Sequence, residues 1–182
     1  MDANLKLEGE KVFLTPMQME DAEIFVEWRN SEFVKKWFLL QEDFTVENQR
    51  KWIETKVLTD EVAQFIIWDK ADNKKIGSAY LINIDHENHK CEYGILLGYP
   101  EYAGGGRGFE ASSLLLKYAF EELHLYKVYA QIMSTNIASY KTALKVGLFM
   151  EGIEVADKWI DGKPVDMIHV AAYNREYSWE KM

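Results

Sequence analysis

The chain has 182 residues, 48% of them apolar and 14% aromatic, which is ample for a folded core and too apolar for a disordered segment. Its 30 acidic residues outnumber 21 basic ones, and the formal net charge of -9 is spread along the chain, which argues against a nucleic-acid partner. One cysteine, Cys91, excludes an internal disulfide and a cysteine-based metal cluster. No window approaches a membrane span, and Met1 to Glu10 lacks the apolar stretch of a signal peptide, so the expectation is one cytoplasmic domain over residues 1–182 with no membrane partner. Its core is expected over about 10–175.

Val12-Phe13-Leu14 reads as a short strand stopped at Thr15-Pro16, and Met19 to Arg29 as an amphipathic helix burying Ala22, Phe25, Val26 and Trp28. Val34 to Leu40, with Trp37, Phe38, Leu39 and Leu40, is either a pocket-lining loop or a short second helix. Thr45 is placed to cap a helix from Val46 to Val57 with Trp52 and Ile53 on its buried side. Ala63 to Trp68 and Lys75 to Ile84 form a hairpin around a polar loop, and Lys90 to Leu97 returns as a third antiparallel strand. On it Glu92, Gly94 and Leu96 share one face, and Cys91, Tyr93, Ile95 and Leu97 the other. Ala111 to Leu123 repeats at helical spacing, with His124 at its end. Val128 to Met133 is a strand, and Asn136 to Val146 is a helix closed by Gly147. A last hairpin joins Val155 to Ile160 and Val165 to Tyr173, with His169 on its inner face.

The cluster Gly104-Gly105-Gly106-Arg107-Gly108, between a strand and a helix, puts bare amides at a helix N-terminus and reads as a phosphate cradle. It is not a Walker loop, since Phe109 and Glu110 follow Gly108 where Lys and Ser or Thr would stand. Nor is it a dinucleotide fingerprint, since Phe109 takes the place of the last glycine and the preceding strands are hairpin-linked.

Ala103-Gly104-Gly105-Gly106-Arg107-Gly108 resembles the acetyl-CoA signature Q/R-x-x-G-x-G/A of the GNAT superfamily, with Ala103 where Gln or Arg is usual. Backbone amides supply most pyrophosphate bonds, so this departure should weaken the site without abolishing it. Asn136 to Leu148 resembles that family's second motif, with Leu148 for Phe, and Ser139 makes it most similar to the RimJ/RimL-type group. Trp28-Arg29-Asn30 and Val34-Lys35-Lys36-Trp37 resemble amino-sugar N-acetyltransferases, and Trp159 to Lys163 spermidine N-acetyltransferases. The resemblance covers Val12 to Tyr173. It implies an α/β (α+β) GNAT fold, a mixed central sheet of about seven strands with about four helices on both faces.

The activity implied is direct transfer of an acetyl group from acetyl-CoA to a primary amine, on a polyamine, an amino sugar or a protein N-terminus. Ala103 and Ala143 leave open a non-catalytic acyl-CoA-binding module on the same fold, and a homodimer is also left open. The resemblance assigns cofactor contacts to Ile95, Leu96, Leu97, Ala103, Gly104, Gly105, Gly106, Arg107, Gly108, Phe109, Asn136, Ser139 and Lys145. Glu92, beside Gly94, is the candidate base, its pKa expected to be raised by partial burial, and the resemblance implies the Leu96 or Leu97 amide as oxyanion donor. Many family members protonate the leaving thiolate with a tyrosine at the position of Ala143. Ser139, one turn earlier, is the first replacement and Tyr140 the second, with water as a third source. His89 is a candidate helper to the base, but His86 and His89 make a poor metal site and no metal is expected. Asp21, Glu42, Asp43, Asp85 and Asp166, with Trp37, Phe38 and Tyr80, are candidates for receiving the acceptor.

Overall fold

A computed structural model describes residues 1–39 and 41–176, so Leu40 of the aromatic stretch lies outside the described residues. The described chain forms one eight-stranded sheet in the order β1-β2-β3-β4-β5-β6-β8-β7. Its strands are β1 (Leu7–Glu8), β2 (Val12–Pro16), β3 (Ala63–Asp69), β4 (Lys74–Asp85), β5 (Lys90–Leu97), β6 (Lys127–Met133), β7 (Phe149–Ile160) and β8 (Lys163–Tyr173). The helices are α1 (Ala22–Asn30), α2 (Glu32–Lys35), α3 (Val46–Trp52), α4 (Arg107–Glu121) and α5 (Ile137–Lys145). The class is as expected, with one strand more than anticipated because the two residues of β1 pair with Phe13 and Leu14.

Strand β3 is apolar on both faces because two helical layers enclose the sheet. Phe65 and Ile67 join Leu115, Leu116 and Ala119 of α4 in the larger core. Ile66 points the other way, into a second core with Phe25 and Trp28 of α1 and with Ile53 and Val57. Each fully buried aliphatic side chain of this kind contributes about 2 kcal/mol.

Helix ends differ from the pattern in instructive ways. Gln18 and Asp21 form a capping box ahead of α1, with the Gln18 N–H donating to Asp21 Oδ2 at 2.8 Å. Thr45 does cap α3, accepting from Asn48 N–H at 3.2 Å, but the helix loosens into a π-turn over Ile53–Val57. Ile53 is buried as expected. Trp52 is not: its ring is partly exposed and its indole N–H donates to Gln64 Oε1 at 3.0 Å. Helix α4 starts at Arg107, four residues before the expected Ala111, and ends at Glu121. His124 therefore lies past the helix, in a turn with φ 51°, where a helix-terminal charge interaction does not apply. Gly147, at φ 99°, closes α5 in a Schellman arrangement: its N–H donates to Leu144 O at 3.2 Å and that of Leu148 to Ala143 O at 3.0 Å.

The sheet is antiparallel from β1 to β5, but β5 and β6 run parallel and pair only over Lys90–Glu92 with Lys127–Tyr129. Beyond that point β6 follows β8 through Met133, opposite Met167. The two central strands therefore part after Glu92 and leave the edge of β5 over Tyr93 to Leu97 open. The last hairpin is longer than expected, β7 beginning at Phe149 rather than Val155. Among the described residues, no helix is long and apolar enough to cross a membrane, and no group of three or more His, Cys, Asp or Glu is placed to hold a metal ion.

Candidate active site

The glycine cluster is a left-handed backbone run. Gly104, Gly105 and Gly106 have φ of 90°, 60° and 88°, a region in which any other residue would be strained. Gly106 is the N-cap of α4 and brings no side chain to the cap. The first amide accepted inside the helix is that of Glu110, by Gly106 O at 2.9 Å, so the N–H groups of Arg107, Gly108 and Phe109 leave the positive end of the helix.

Side chains brace the turn from behind. Arg107 Nε donates to Asp69 Oδ2, while Asp69 Oδ1 accepts the amides of Ala71 at 2.9 Å and Asp72 at 3.1 Å. Burial opposes the Asp69 charge, but Arg107 and these amides outweigh it and hold the carboxyl below the ordinary aspartate range. Lys11 Nζ donates to Gly105 O at 2.7 Å, and the Glu110 carboxylate accepts the amides of Lys11 at 2.8 Å, Val12 at 3.1 Å and Glu10. Tyr102 donates to Asp72 Oδ2 at 2.6 Å, and that bond to a carboxylate pushes its hydroxyl up to about 12.

Three cavities lie side by side, the first of them starting at this turn. The first, about 340 Å³, extends from Gly104, Gly106, Gly108 and Phe109 past the open edge of β5 to Asn136, Ser139 and Lys145 on α5. The second, about 330 Å³, fills the gap between β5 and β6, with Glu92, Gly94, Gln131 and Met133 in its walls. Trp37, Phe38, Tyr93, Ile95, Asn136 and Ser139 belong to both. A third, about 470 Å³, lies beyond Phe38 and Tyr80 and is walled by Phe25, Arg29, Glu42, Phe44, Gln49 and Gln64.

Residues 11–148 match the acetyltransferase (GNAT) domain family. The chain belongs to that family. Its relatives include the Bacillus subtilis protein named Probable N-acetyltransferase YjcK, 30% identical over 166 residues, covering 86% of this chain and 90% of that one. Spermidine N(1)-acetyltransferase of Escherichia coli is 26% identical over 168 residues, covering 91% and 88%. The fold matches the crystal structure of spermidine N-acetyltransferase from Vibrio cholerae in complex with CoA and spermine. There the TM-score is 0.85 at 20% identity, over 93% of this chain and 99% of that one. It also matches ribosomal-protein-S5-alanine acetyltransferase from Vibrio fischeri, with a TM-score of 0.84 at 22% identity over 96% and 100%.

As a GNAT N-acetyltransferase the chain uses acetyl-CoA as acetyl donor, and its own features fit that donor. The outward amides of Arg107, Gly108 and Phe109 suit a pyrophosphate, and the unpaired strand edge beside Ile95, Leu96 and Leu97 suits an amide-bearing arm. Of the expected contacts, Ile95, Leu96, Leu97, Ala103, Gly104, Gly106, Gly108, Phe109, Asn136, Ser139 and Lys145 line the first cavity together. Gly105 and Arg107 do not: the Gly105 carbonyl is taken by Lys11 and the Arg107 guanidinium is turned back onto Asp69. Asn136 is the N-cap of α5, its Oδ1 accepting the Ser139 N–H at 3.1 Å, which aims the first turn of that helix at the cavity. Lys145 stands 4.7 Å from the centroid of the Phe109 ring, at the phosphate end.

Glu92 lies where β5 and β6 part, its Oε2 accepting from Asn83 Nδ2 at 3.0 Å. Ser139 lines both cavities at their junction, whereas Tyr140 packs partly buried against the core and lines neither. Of the five acids named for the acceptor, Glu42 and Asp43 line the third cavity. Asp21 is bound to Lys75 Nζ at 2.5 Å, Asp85 accepts the Asn88 amide at 2.8 Å, and Asp166 accepts that of Ala156 at 2.7 Å. His169 Nε2 lies 3.0 Å from Glu154 Oε2 on the hairpin, and neither His89 nor His86 lines a cavity described above.

Tyr80, Tyr93, Thr142, Gln131, Met133 and Met167 complete the walls. A Cβ on Gly94 would fall 2.3 Å from Tyr80 Cζ and 2.4 Å from its hydroxyl, so the glycine lets the tyrosine ring lie across β5. Burial pushes the Tyr80 hydroxyl up to about 12, with Arg29 pulling the other way and Glu92 adding to the rise. Tyr80 thus sits between a carboxylate and a guanidinium. Arg29 was not expected among site residues. Its signs in the sequence are the Trp28-Arg29-Asn30 resemblance and a charged residue next to Trp28 on the buried stripe of α1.

Proposed function

We propose that this chain moves the acetyl group of acetyl-CoA directly onto the primary amine of a small molecule seated between β5 and β6. The observation that carries this reading is the wall shared by two cavities at Tyr93, Ile95, Asn136 and Ser139, one reaching the glycine turn and the other Glu92. A volume of about 330 Å³ suits a small acceptor. The spermidine acetyltransferases among its relatives put polyamines on the list, and the resemblance to amino-sugar enzymes adds amino sugars.

When bound, acetyl-CoA supplies an activated thioester carbonyl. Glu92, held by Asn83, is the group positioned to take the proton that an ammonium must lose before it can attack. The amides of the open β5 edge, at Leu96 or Leu97, are the candidate donors to the charge that develops on the carbonyl oxygen. Ser139 offers a hydroxyl where the two cavities meet, for the proton that the departing sulfur takes up. Cys91 is unsuited to carry the acetyl group itself: it is fully buried, and burial first and Glu92 second push its thiol up to about 12.

Free coenzyme A release, measured over a panel of polyamines, amino sugars, amino acids and N-terminal peptides, tests the reading. At least one small amine should give acetyl-CoA-dependent release and an acetylated product. Acetyl-CoA binding with no release across the whole panel would contradict it.

A further inference from the structure

The third cavity contains a charge that the transfer reaction does not account for. Arg29 is 97% buried at the end of α1, being 3% exposed, and its Nη1 has no hydrogen-bond partner among the described residues. Its guanidinium carbon is 3.7 Å from the centroid of Phe38 and 4.4 Å from that of Phe44, so two aromatic faces from the segment between α2 and α3 pack against it. Ring faces do not replace hydrogen-bond acceptors, and an enclosed guanidinium without a carboxylate is costly to bury. Burial holds its pKa below the usual arginine range.

The acids in the same cavity do not satisfy it. Asp43 is bound to Lys35 Nζ at 2.6 Å, and no ion pair among the described residues joins Glu42 to Arg29. The other wall groups are neutral. Gln64 is occupied by Trp52 and Ser78, Gln49 donates to Met17 Sδ at 3.7 Å, and Tyr80 feels both the Arg29 and the Glu92 charge. Phe38 and Tyr80 are common to this cavity and to the acceptor cavity, so the two spaces adjoin, with Glu92 in the wall of one and Arg29 in the wall of the other.

We infer that the acceptor is an amine that also carries an anionic group, a carboxylate or a phosphate, and that Arg29 is the residue that receives this anion while the amine lies at Glu92. The inference rests on the proposed transfer reaction and narrows its substrate class, away from the purely cationic polyamines. A guanidinium offers two parallel N–H bonds to either anion, which a lysine does not.

Matched pairs test it: phenylalanine against phenethylamine, and glucosamine 6-phosphate against glucosamine, with spermidine as the cationic reference. For the wild type, kcat/KM should favour the anionic member of at least one pair by roughly 10- to 100-fold, the range expected for a charged hydrogen bond. The pair that responds tells carboxylate from phosphate. Arg29→Met keeps the stem between the rings and should bring the pair close to parity. Arg29→Lys should retain part of the preference, and serves as the informative variant if Arg29→Met does not fold. Calorimetric titration of the same compounds into the protein saturated with coenzyme A separates the two claims. Arg29-dependent binding of the anionic probe without turnover would support the anion site while removing the transfer reading. Turnover led by spermidine, with no preference in either pair, or a preference that survives Arg29→Met, would overturn the anion site and leave the transfer reading in place. Absence of discrimination in both turnover and binding overturns it equally.

Discussion

Asn83 donates to the Glu92 carboxylate, and two residues on Gly94 leaves room for the Tyr80 ring across the strand. An acid in this place has use only if it can accept a proton from an ammonium. Glu92→Gln keeps the shape and removes that capacity, so kcat/KM should fall roughly 100-fold, the scale of general-base catalysis. The loss should be clearest at pH values below the pKa of the amine, where most acceptor arrives protonated. A pH-rate profile with the same form in both proteins would remove Glu92 as the base. The serine and the tyrosine weighed as proton donors are now unequal, because Ser139 lines both cavities and Tyr140 lines neither.

At the level of elements, the glycine turn depends on the end of β3. Asp69, nearly inaccessible, links that strand to Arg107 at the first turn of α4 and organises the amides of Ala71 and Asp72. Its folded-state pKa lies below that of the unfolded chain, so the stability it contributes is present above the ordinary carboxylate pKa of about 4 and is lost as pH falls through the lower, folded value. Asp69→Asn should cost about 2 kcal/mol at neutral pH, an ion-paired hydrogen bond being removed from a covered site. Denaturant titrations from pH 7 down to pH 3 should show the gap between wild type and variant narrowing at the acid end. A gap that stays constant would mean that Asp69 acts through shape alone.

The same elements show what could be read from the residues and what could not. A strand, a glycine run and a helix in succession were legible, as was the C-terminal end of α5, because Gly147 acts on its immediate neighbours. The start of α4 was misplaced by four residues. Gly106 in the left-handed region ends the turn abruptly, and Arg107, Gly108 and Phe109 are helical in spite of a composition that reads as loop. Trp52 looked like a core residue by spacing, but it ends α3 partly exposed, just before the π-turn, with its indole N–H satisfied by Gln64.

At the scale of the molecule, the gap that holds the candidate site exists because β6 pairs with β8 along its whole length while its pairing with β5 ends at Glu92. That divergence is a property of distant partners, and no local pattern in either strand announces it. Arg29 was hidden for a similar reason, since its burial requires Phe38 and Phe44 to return over α1 from farther along the chain. Residues that line adjoining spaces from several different elements were therefore named one by one from motifs, while the space itself came from topology.

Direct transfer between the adjoining cavities makes a strong kinetic demand: both substrates must be bound at once, with no acetyl group carried by the Ser139 hydroxyl at their junction. Initial rates measured over a grid of acetyl-CoA and amine concentrations address this most directly. Intersecting double-reciprocal lines, with no coenzyme A released before amine is added, are the predicted result. Parallel lines, together with a stoichiometric burst of coenzyme A in the absence of amine, would reveal an acetyl-enzyme and contradict direct transfer at the junction of β5 and β6.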